Sequence, residues 1–206
     1  MEFKEYSEPS PHIVIDNFLT SEEYNKVRKE IDDLIPKMNV GIMKSNTGHD
    51  QVLNDVKNNL NIWLDTYYSD RSMSNILKYI TKIWDSEISN YLQKADNGIF
   101  RLYNVTNDDS TLLSAYGNGQ FYKEHADGDG VDDRGLLFIS STLLIGNNFK
   151  GGDFVLGNKT IPFKDNRLIM FESHRLHQVT VVETDENNDN WRYSIQYFAG
   201  LKKGDV

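Results

Sequence analysis

Residues 116–127 read Tyr-Gly-Asn-Gly-Gln-Phe-Tyr-Lys-Glu-His-Ala-Asp, and the last three decide how the rest of the chain is taken. In an extended strand, residues two apart leave the backbone on the same face. His125 and Asp127 therefore present an imidazole and a carboxylate side by side. Two histidines and one carboxylate on one face form the set that holds a non-haem Fe(II) and leaves coordination positions open. A single His-x-Asp arises by chance in many chains. It gains weight from later stretches of the chain: Gly151-Gly152-Asp153-Phe154, a further pair of histidines, and Arg192-Tyr193-Ser194.

The third ligand has to come from Phe171-Glu172-Ser173-His174-Arg175-Leu176-His177-Gln178-Val179. His177 opens an alternating run over 177–183 in which His177, Val179 and Val181 share one face, as for an inward-facing side chain on a core strand. His174 sits in the preceding turn and stays in reserve. A ligand fixed by a strand suits a metal better than one on a turn. Arg192 starts the last strand, with Ser194, Gln196 and Phe198 on its own face and Tyr193, Ile195 and Tyr197 on the other. A guanidinium directed into an apolar interior needs an anionic partner. That partner is either one of the chain's 31 acidic residues or the carboxylate of a ligand. Ser194 can donate to the same oxygens, and Tyr116 and Tyr122 add phenols upstream of His125.

Outward from this region the hydrophobic period changes at Gly98. Before it the chain reads mainly helical. A short strand over 12–18 is followed by Thr20, which caps a helix that Glu23 closes as a capping box; Tyr24, Val27, Ile31 and Leu34 form its apolar stripe, and Pro36 ends it. Residues 37–50 read as a loop. A second helix is predicted through Val52, Val56, Leu60, Trp63, Leu64 and Tyr67, and a third, longer one from Ile76 to Tyr91. After Gly98, strands are predicted near 99–105, 111–116, 120–126, 135–145, 152–156, 159–162, 167–172, 177–183 and 192–199, with a hairpin at Gly157-Asn158. The pattern is that of an α+β chain ending in a β-sandwich or jelly roll, a single domain over 1–206 with a helical part (1–98) and a strand-rich core (99–200). The acidic stretches 127–133 and 183–190 read as solvated loops. The first lacks the glutamate that a twelve-residue calcium loop needs, because the twelfth position from Asp127 is Phe138.

Composition excludes several classes. With 206 residues, a net charge of -9 and no basic run, the chain has nothing to offset repulsion from phosphate backbones, so nucleic acid is not an expected partner. It has no cysteine, which removes disulfides, thiolate metal sites and a cysteine nucleophile. No membrane-spanning or secretory apolar run occurs, so the expected location is cytoplasmic. His12 and His49 lie away from any metal-like spacing.

Taken in order, these motifs, with Ile161-Pro162-Phe163-Lys164-Asp165-Asn166-Arg167 and Trp191-Arg192-Tyr193-Ser194-Ile195-Gln196-Tyr197-Phe198, resemble the 2-oxoglutarate and Fe(II)-dependent oxygenases, in particular the prolyl 4-hydroxylase-like branch. The likeness is good over roughly 110–200, and the 13–35 stretch, opening Ile13-Val14-Ile15-Asp16-Asn17-Phe18, is similar to the lead-in common there. The resemblance implies a double-stranded β-helix (cupin-like jelly roll) with N-terminal helices packed outside one sheet. It implies His125, Asp127 and His177 as Fe(II) ligands, and 2-oxoglutarate chelating the metal while its far carboxylate meets Arg192, helped by Ser194 and Tyr116. Tyr122 is a further candidate contact. The implied reaction consumes O2, converts 2-oxoglutarate to succinate and carbon dioxide, and hydroxylates an acceptor; ascorbate is a candidate helper. A prolyl residue in a peptide or protein is the acceptor implied. Where oxygen-sensing relatives carry a second tyrosine, this chain has Thr142, and Asp127 argues against halogenation. Other readings are an oxygenase of a free amino acid or small molecule, a metal enzyme that needs no 2-oxoglutarate, and a jelly-roll binding module without turnover.

Overall fold

The computed structural model describes residues 1–44, 50–127, 135–184 and 191–202. Two antiparallel sheets face each other. The larger runs, in spatial order, Glu2–Tyr6, His12–Asp16, Arg167–Glu172, Gly135–Ile145, Arg192–Lys202, Asp108–Tyr116, Leu60–Trp63 and Asn39–Val40. The smaller runs Lys159–Ile161, Phe154–Leu156, His177–Val179, Phe121–His125 and Lys57–Asn58. From Asp108 to Lys202 the chain passes back and forth between the two sheets, which is the winding of a double-stranded β-helix. The Phe154–Leu156 and Lys159–Ile161 strands form the predicted hairpin, with Gly157 at φ +55°.

The period-2 pattern explains both faces of the large sheet. One face carries Ile13, Ile15, Leu113, Leu143, Ile145, Leu168, Tyr193, Ile195 and Tyr197, packed with Val27, Ile31, Leu77, Ile80, Ile88 and Leu92 of the helices. The opposite face supplies Val14, Leu144, Ile169 and Phe171, which meet Phe154, Leu156 and Ile161 of the small sheet. The helices thus cover one sheet from outside, and the interval between the sheets is the barrel interior. The first helix, Ser21–Leu34, begins as the sequence predicts: Glu23 N donates to Thr20 Oγ1 and Thr20 N to the Glu23 carboxylate.

Three predicted elements are different in the structure. The second helix does not form over 52–67. Its middle becomes the strands Lys57–Asn58 and Leu60–Trp63, leaving one helical turn at Leu64–Tyr67. Asn58, Asn59 and Asn61 are poor helix formers, and the Asp108–Tyr116 strand offers a free edge that pairs Leu60 with Ala115 and Ile62 with Leu113. The third helix is broken into Asn75–Ile80, a 3-10 turn at Thr81–Trp84 and Ser86–Lys94. Trp84 is held where the axis changes, its Nε1 donating to Tyr197 Oη at 2.7 Å and its ring stacked 4.0 Å from Tyr103. The 99–105 strand is a 3-10 helix, Gly98–Val105, capped by Asn97. Phe100 and Tyr103, three apart and fully buried, fit that period.

Glu2–Tyr6 forms an edge strand that the sequence pattern does not announce. The 177–183 run divides into His177–Val179 and Val182–Glu183, so Val181 is exposed and Val182 buried, contrary to the single alternating face expected. The predicted 37–50 loop holds the two-residue strands Asn39–Val40 and Met43–Lys44. His49, nearly all of the acidic stretch 127–133 and most of 183–190 lie outside the described residues.

Candidate active site

His125, Asp127 and His177 converge at one end of the barrel, each offering a ligand atom within 4.8 Å of the others. Strand pairing produces the convergence. His177 lies directly opposite His125 in adjacent antiparallel strands, and Asp127, just past the end of the Phe121–His125 strand, is held by its N–H donating to Ser173 O at 3.0 Å. Both rings have their Nδ1 engaged by a backbone carbonyl, His125 by Lys123 O at 2.8 Å and His177 by Arg175 O at 2.9 Å. That fixes the tautomer and leaves each Nε2 as a lone-pair donor facing Asp127, at 3.6 and 3.5 Å from its two oxygens. Two donors about 2.1 Å from one ion at right angles stand ~3 Å apart, so the set fits a small divalent metal with little adjustment.

The electrostatics agree with a metal site. Burial alone would raise the Asp127 carboxyl, but the His177 and His125 imidazoles together hold it well below the ordinary range. Burial pushes His125 down, whereas the Asp127 carboxylate lifts His177 despite burial. His174 points elsewhere. Its side chain is 59% exposed and its Nε2 lies 3.8 Å from Glu172.

Deeper in the interior, Arg192 pairs with Tyr116 across neighbouring strands, its guanidinium 4.9 Å from the phenol ring centroid. Arg192 is fully buried. Its Nε donates to Gly152 O at 2.9 Å, but among the described residues Nη1 and Nη2 have no hydrogen-bond partner, and neither has Tyr116 Oη. Burial pushes the guanidinium pKa down to about 10, with Tyr116 and Asp153 opposing. The Gly-Gly motif makes this geometry possible. Gly152 has φ +66°, and a Cβ there would stand 3.2 Å from Arg192 Cδ and 3.1 Å from Val182 Cγ2. The next residue, Asp153, ties the loop by accepting from Phe163 N.

The remaining predicted residues are distributed around these two centres. Tyr122 stacks on His125, with ring centroids 3.5 Å apart, and lines the interior beside Tyr116 and Val179. Ser194 is buried next to Arg192, but its hydroxyl is engaged with Gln196 at 2.8 Å. Thr142 is buried and pairs in register with Gln196. Two residues that the sequence pattern assigned to a helix also belong here. Lys57 is only 6% exposed, with Nζ 4.8 Å over the Tyr122 ring. Asn59, 1% exposed, neighbours the Tyr116 phenol, and neither of its amide atoms is hydrogen-bonded among the described residues. The alternation of Leu60 and Ile62 within an asparagine-rich run was the available signal for a strand there.

The chain is similar to known proteins in both sequence and fold. Residues 111–200 match the model of the 2OG-Fe(II) oxygenase superfamily. The strand-rich core of the chain is thus similar to that of this superfamily and of its prolyl 4-hydroxylase-like branch. Similar solved structures include a prolyl hydroxylase from Trichoplax adhaerens in complex with a hypoxia-inducible-factor oxygen degradation domain peptide fragment, 20% identical, covering 92% of this chain and 83% of that one, with a TM-score of 0.68. A prolyl-4-hydroxylase from Pseudomonas putida is 14% identical, with 92% of both chains covered and a TM-score of 0.64. A viral collagen prolyl hydroxylase of Paramecium bursaria Chlorella virus-1, solved with 2OG, is 16% identical, covering 92% of this chain and 96% of that one, at 0.58. At these identities the structures establish the double-stranded β-helix fold. No curated protein matches the chain.

Proposed function

We propose that the protein is a non-haem Fe(II) and 2-oxoglutarate-dependent dioxygenase that hydroxylates a prolyl residue in a peptide or protein, releasing succinate and carbon dioxide. The observation that carries this reading is a fully buried guanidinium, two of whose nitrogens have no partner among the described residues, in the same interior as a His-Asp-His cluster. A metal enzyme with no second carboxylate to bind has no use for such a cation, because burying it unpaired costs several kcal/mol.

His125, Asp127 and His177 would hold the iron, which when bound supplies the activation of dioxygen. The backbone carbonyls of Lys123 and Arg175 keep both Nε2 lone pairs directed at that point. Arg192 would receive the far carboxylate of 2-oxoglutarate through the Nη pair, with Tyr116 Oη as a further donor. A planar fork matches a carboxylate in two parallel hydrogen bonds. Tyr116, Val179 and Val182, with Tyr122 and Phe149 against them, form an apolar lining that limits water around the reacting atoms. Prolyl acceptors are supported by the sequence motifs between Tyr116 and Phe198 and by the activities named for the structural neighbours, one of which holds a peptide. Among the described residues no helix is long and apolar enough to cross a membrane.

The test is incubation with Fe(II), 2-oxoglutarate, ascorbate and pools of proline-containing peptides, read by succinate release and by mass spectrometry. One added oxygen on proline is the expected result. Binding of 2-oxoglutarate without any succinate release would make the protein a binding module instead.

A further inference from the structure

Lys57 is an ammonium without an adequate partner among the described residues. It sits on the short strand Lys57–Asn58, paired in register with Tyr122, and its hydrogen-bond acceptor is the Ile42 carbonyl at a long 3.4 Å. Each cation of the interior lies over a tyrosine ring, Lys57 over Tyr122, which stacks on His125, and Arg192 over Tyr116. Asn59, two residues on, adds an amide buried against the Tyr116 phenol, with no well-formed hydrogen bond among the described residues. The wall behind them is tight: a Cβ on Gly41 would fall 2.0 Å from Asn59 Oδ1 and 3.0 Å from Lys57 Cε. Nothing larger than glycine can stand there without moving both side chains.

On the oxygenase reading, the metal would engage Asp127 and one end of the cosubstrate, and Arg192, with Asp153 near it, the other end. Among the described residues the Lys57 ammonium is then left with only the long Ile42 carbonyl contact in a buried site, where a poorly partnered ion is costly. Asp127 cannot serve it fully while it binds a metal. We propose that Lys57 and Asn59 form a second recognition pole that binds a carboxylate carried by the acceptor, close to the carbon that is hydroxylated. The inference rests on the oxygenase reading and narrows its substrate class to an acidic acceptor: a proline with its own carboxylate free, or one flanked by an acidic side chain. Lys57 supplies the charge, and Asn59 Nδ2 supplies a directional donor to the same group.

Binding can be measured without turnover. The protein loaded with Zn(II) and 2-oxoglutarate is titrated, with NMR detection, with N-acetyl-L-proline and N-acetyl-L-prolinamide, and then with acetyl-Pro-Glu-amide and acetyl-Pro-Gln-amide. The acid member of at least one pair should bind about tenfold more tightly than its neutral partner. Which pair shows the gain identifies whether the proline's own carboxylate or a flanking one is read. Lys57→Met and Asn59→Ala should each shrink the gain, Lys57→Met to within about twofold. Lys57→Met should also leave 2-oxoglutarate affinity within about threefold and raise the melting temperature, because it removes a buried charge. Equal binding of acid and amide in both pairs overturns the proposal while leaving a prolyl acceptor in place, and binding of none of the four overturns both. A tenfold loss of 2-oxoglutarate affinity in Lys57→Met overturns it too, by assigning the ammonium to the cosubstrate. A wild-type protein that binds no 2-oxoglutarate removes the oxygenase reading beneath it.

Discussion

Arg167 and Arg192 are both arginines at strand starts in the large sheet, and they are treated in opposite ways. Arg167 lies opposite Asp16 in register and pairs with it twice, Nε to Oδ1 at 2.6 Å and Nη2 to Oδ2 at 3.1 Å, while Nη1 reaches the Pro162 carbonyl. Lys164 adds a third cationic contact to the same carboxylate. Arg192 is more deeply buried and, among the described residues, has one side-chain hydrogen bond, to Gly152. Folding satisfies the first arginine and leaves the second for something else. A saturated buried ion pair contributes to holding the fold. An unsaturated one is tolerated at a cost in stability and marks where a ligand belongs.

The largest expected effect lies at the metal cluster, at the mouth of the unsaturated region. Asp127→Ala should take Fe(II) binding and turnover below detection while far-UV circular dichroism stays near wild type. His174→Ala, outside the cluster, should keep both; loss of metal from His174→Ala with retention in His177→Ala would reverse the ligand assignment.

Next comes Arg192 itself. A charge-assisted hydrogen bond is worth roughly 1.5–3 kcal/mol, so Arg192→Ala should weaken 2-oxoglutarate binding by about 10- to 150-fold. Arg192→Lys should be milder but not silent, because the fork is lost. If the contrast with Arg167 is sound, denaturant unfolding of Arg192→Ala will show no loss of stability in the absence of ligand.

Asp16→Asn is the converse experiment. Arg167 and Lys164 hold the Asp16 carboxyl at about 2, against an ordinary 3.8. The folded value is depressed, so the contribution is complete above the unfolded value and is lost as pH falls through the folded one. Allowing for the half-exposed Lys164, Asp16→Asn should cost about 1–2 kcal/mol at pH 7, and the gap to wild type should close toward pH 2. Its affinity for 2-oxoglutarate should be unchanged, and a tenfold drop would blur the division between the two arginines. The smallest effect is expected at Tyr116→Phe, which removes one neutral donor worth about 0.5–1.5 kcal/mol, a roughly 2- to 12-fold weaker cosubstrate.

The same contrast explains what could be read from sequence. Strands from 108 onward announce themselves through local alternation, and His125, Asp127, His177 and Arg192 each sit at a strand end or start that this alternation defines. The Gly151-Gly152 motif was legible as a motif, but its reason, room for the Arg192 side chain, exists only in three dimensions. Residues 52–67 were misread because their strands depend on edges more than fifty residues away, at Ala115, Leu113 and Tyr122. Lys57 and Asn59 were hidden by the same error, since a helix would have scattered them over different faces. The break at Thr81–Trp84 was likewise invisible, because it is made by contacts to Tyr103 and Tyr197 rather than by a local stop signal.

On the proposed function, the unsatisfied arginine and the His-Asp-His cluster share one ligand. Anaerobic titration of 2-oxoglutarate into the Fe(II)-loaded protein, followed by the weak visible band that chelation produces, tests it most directly. The band is expected in wild type, at about 10- to 150-fold higher concentration in Arg192→Ala, and not at all in Asp127→Ala. No band in wild type, or an unchanged midpoint in Arg192→Ala, would contradict it.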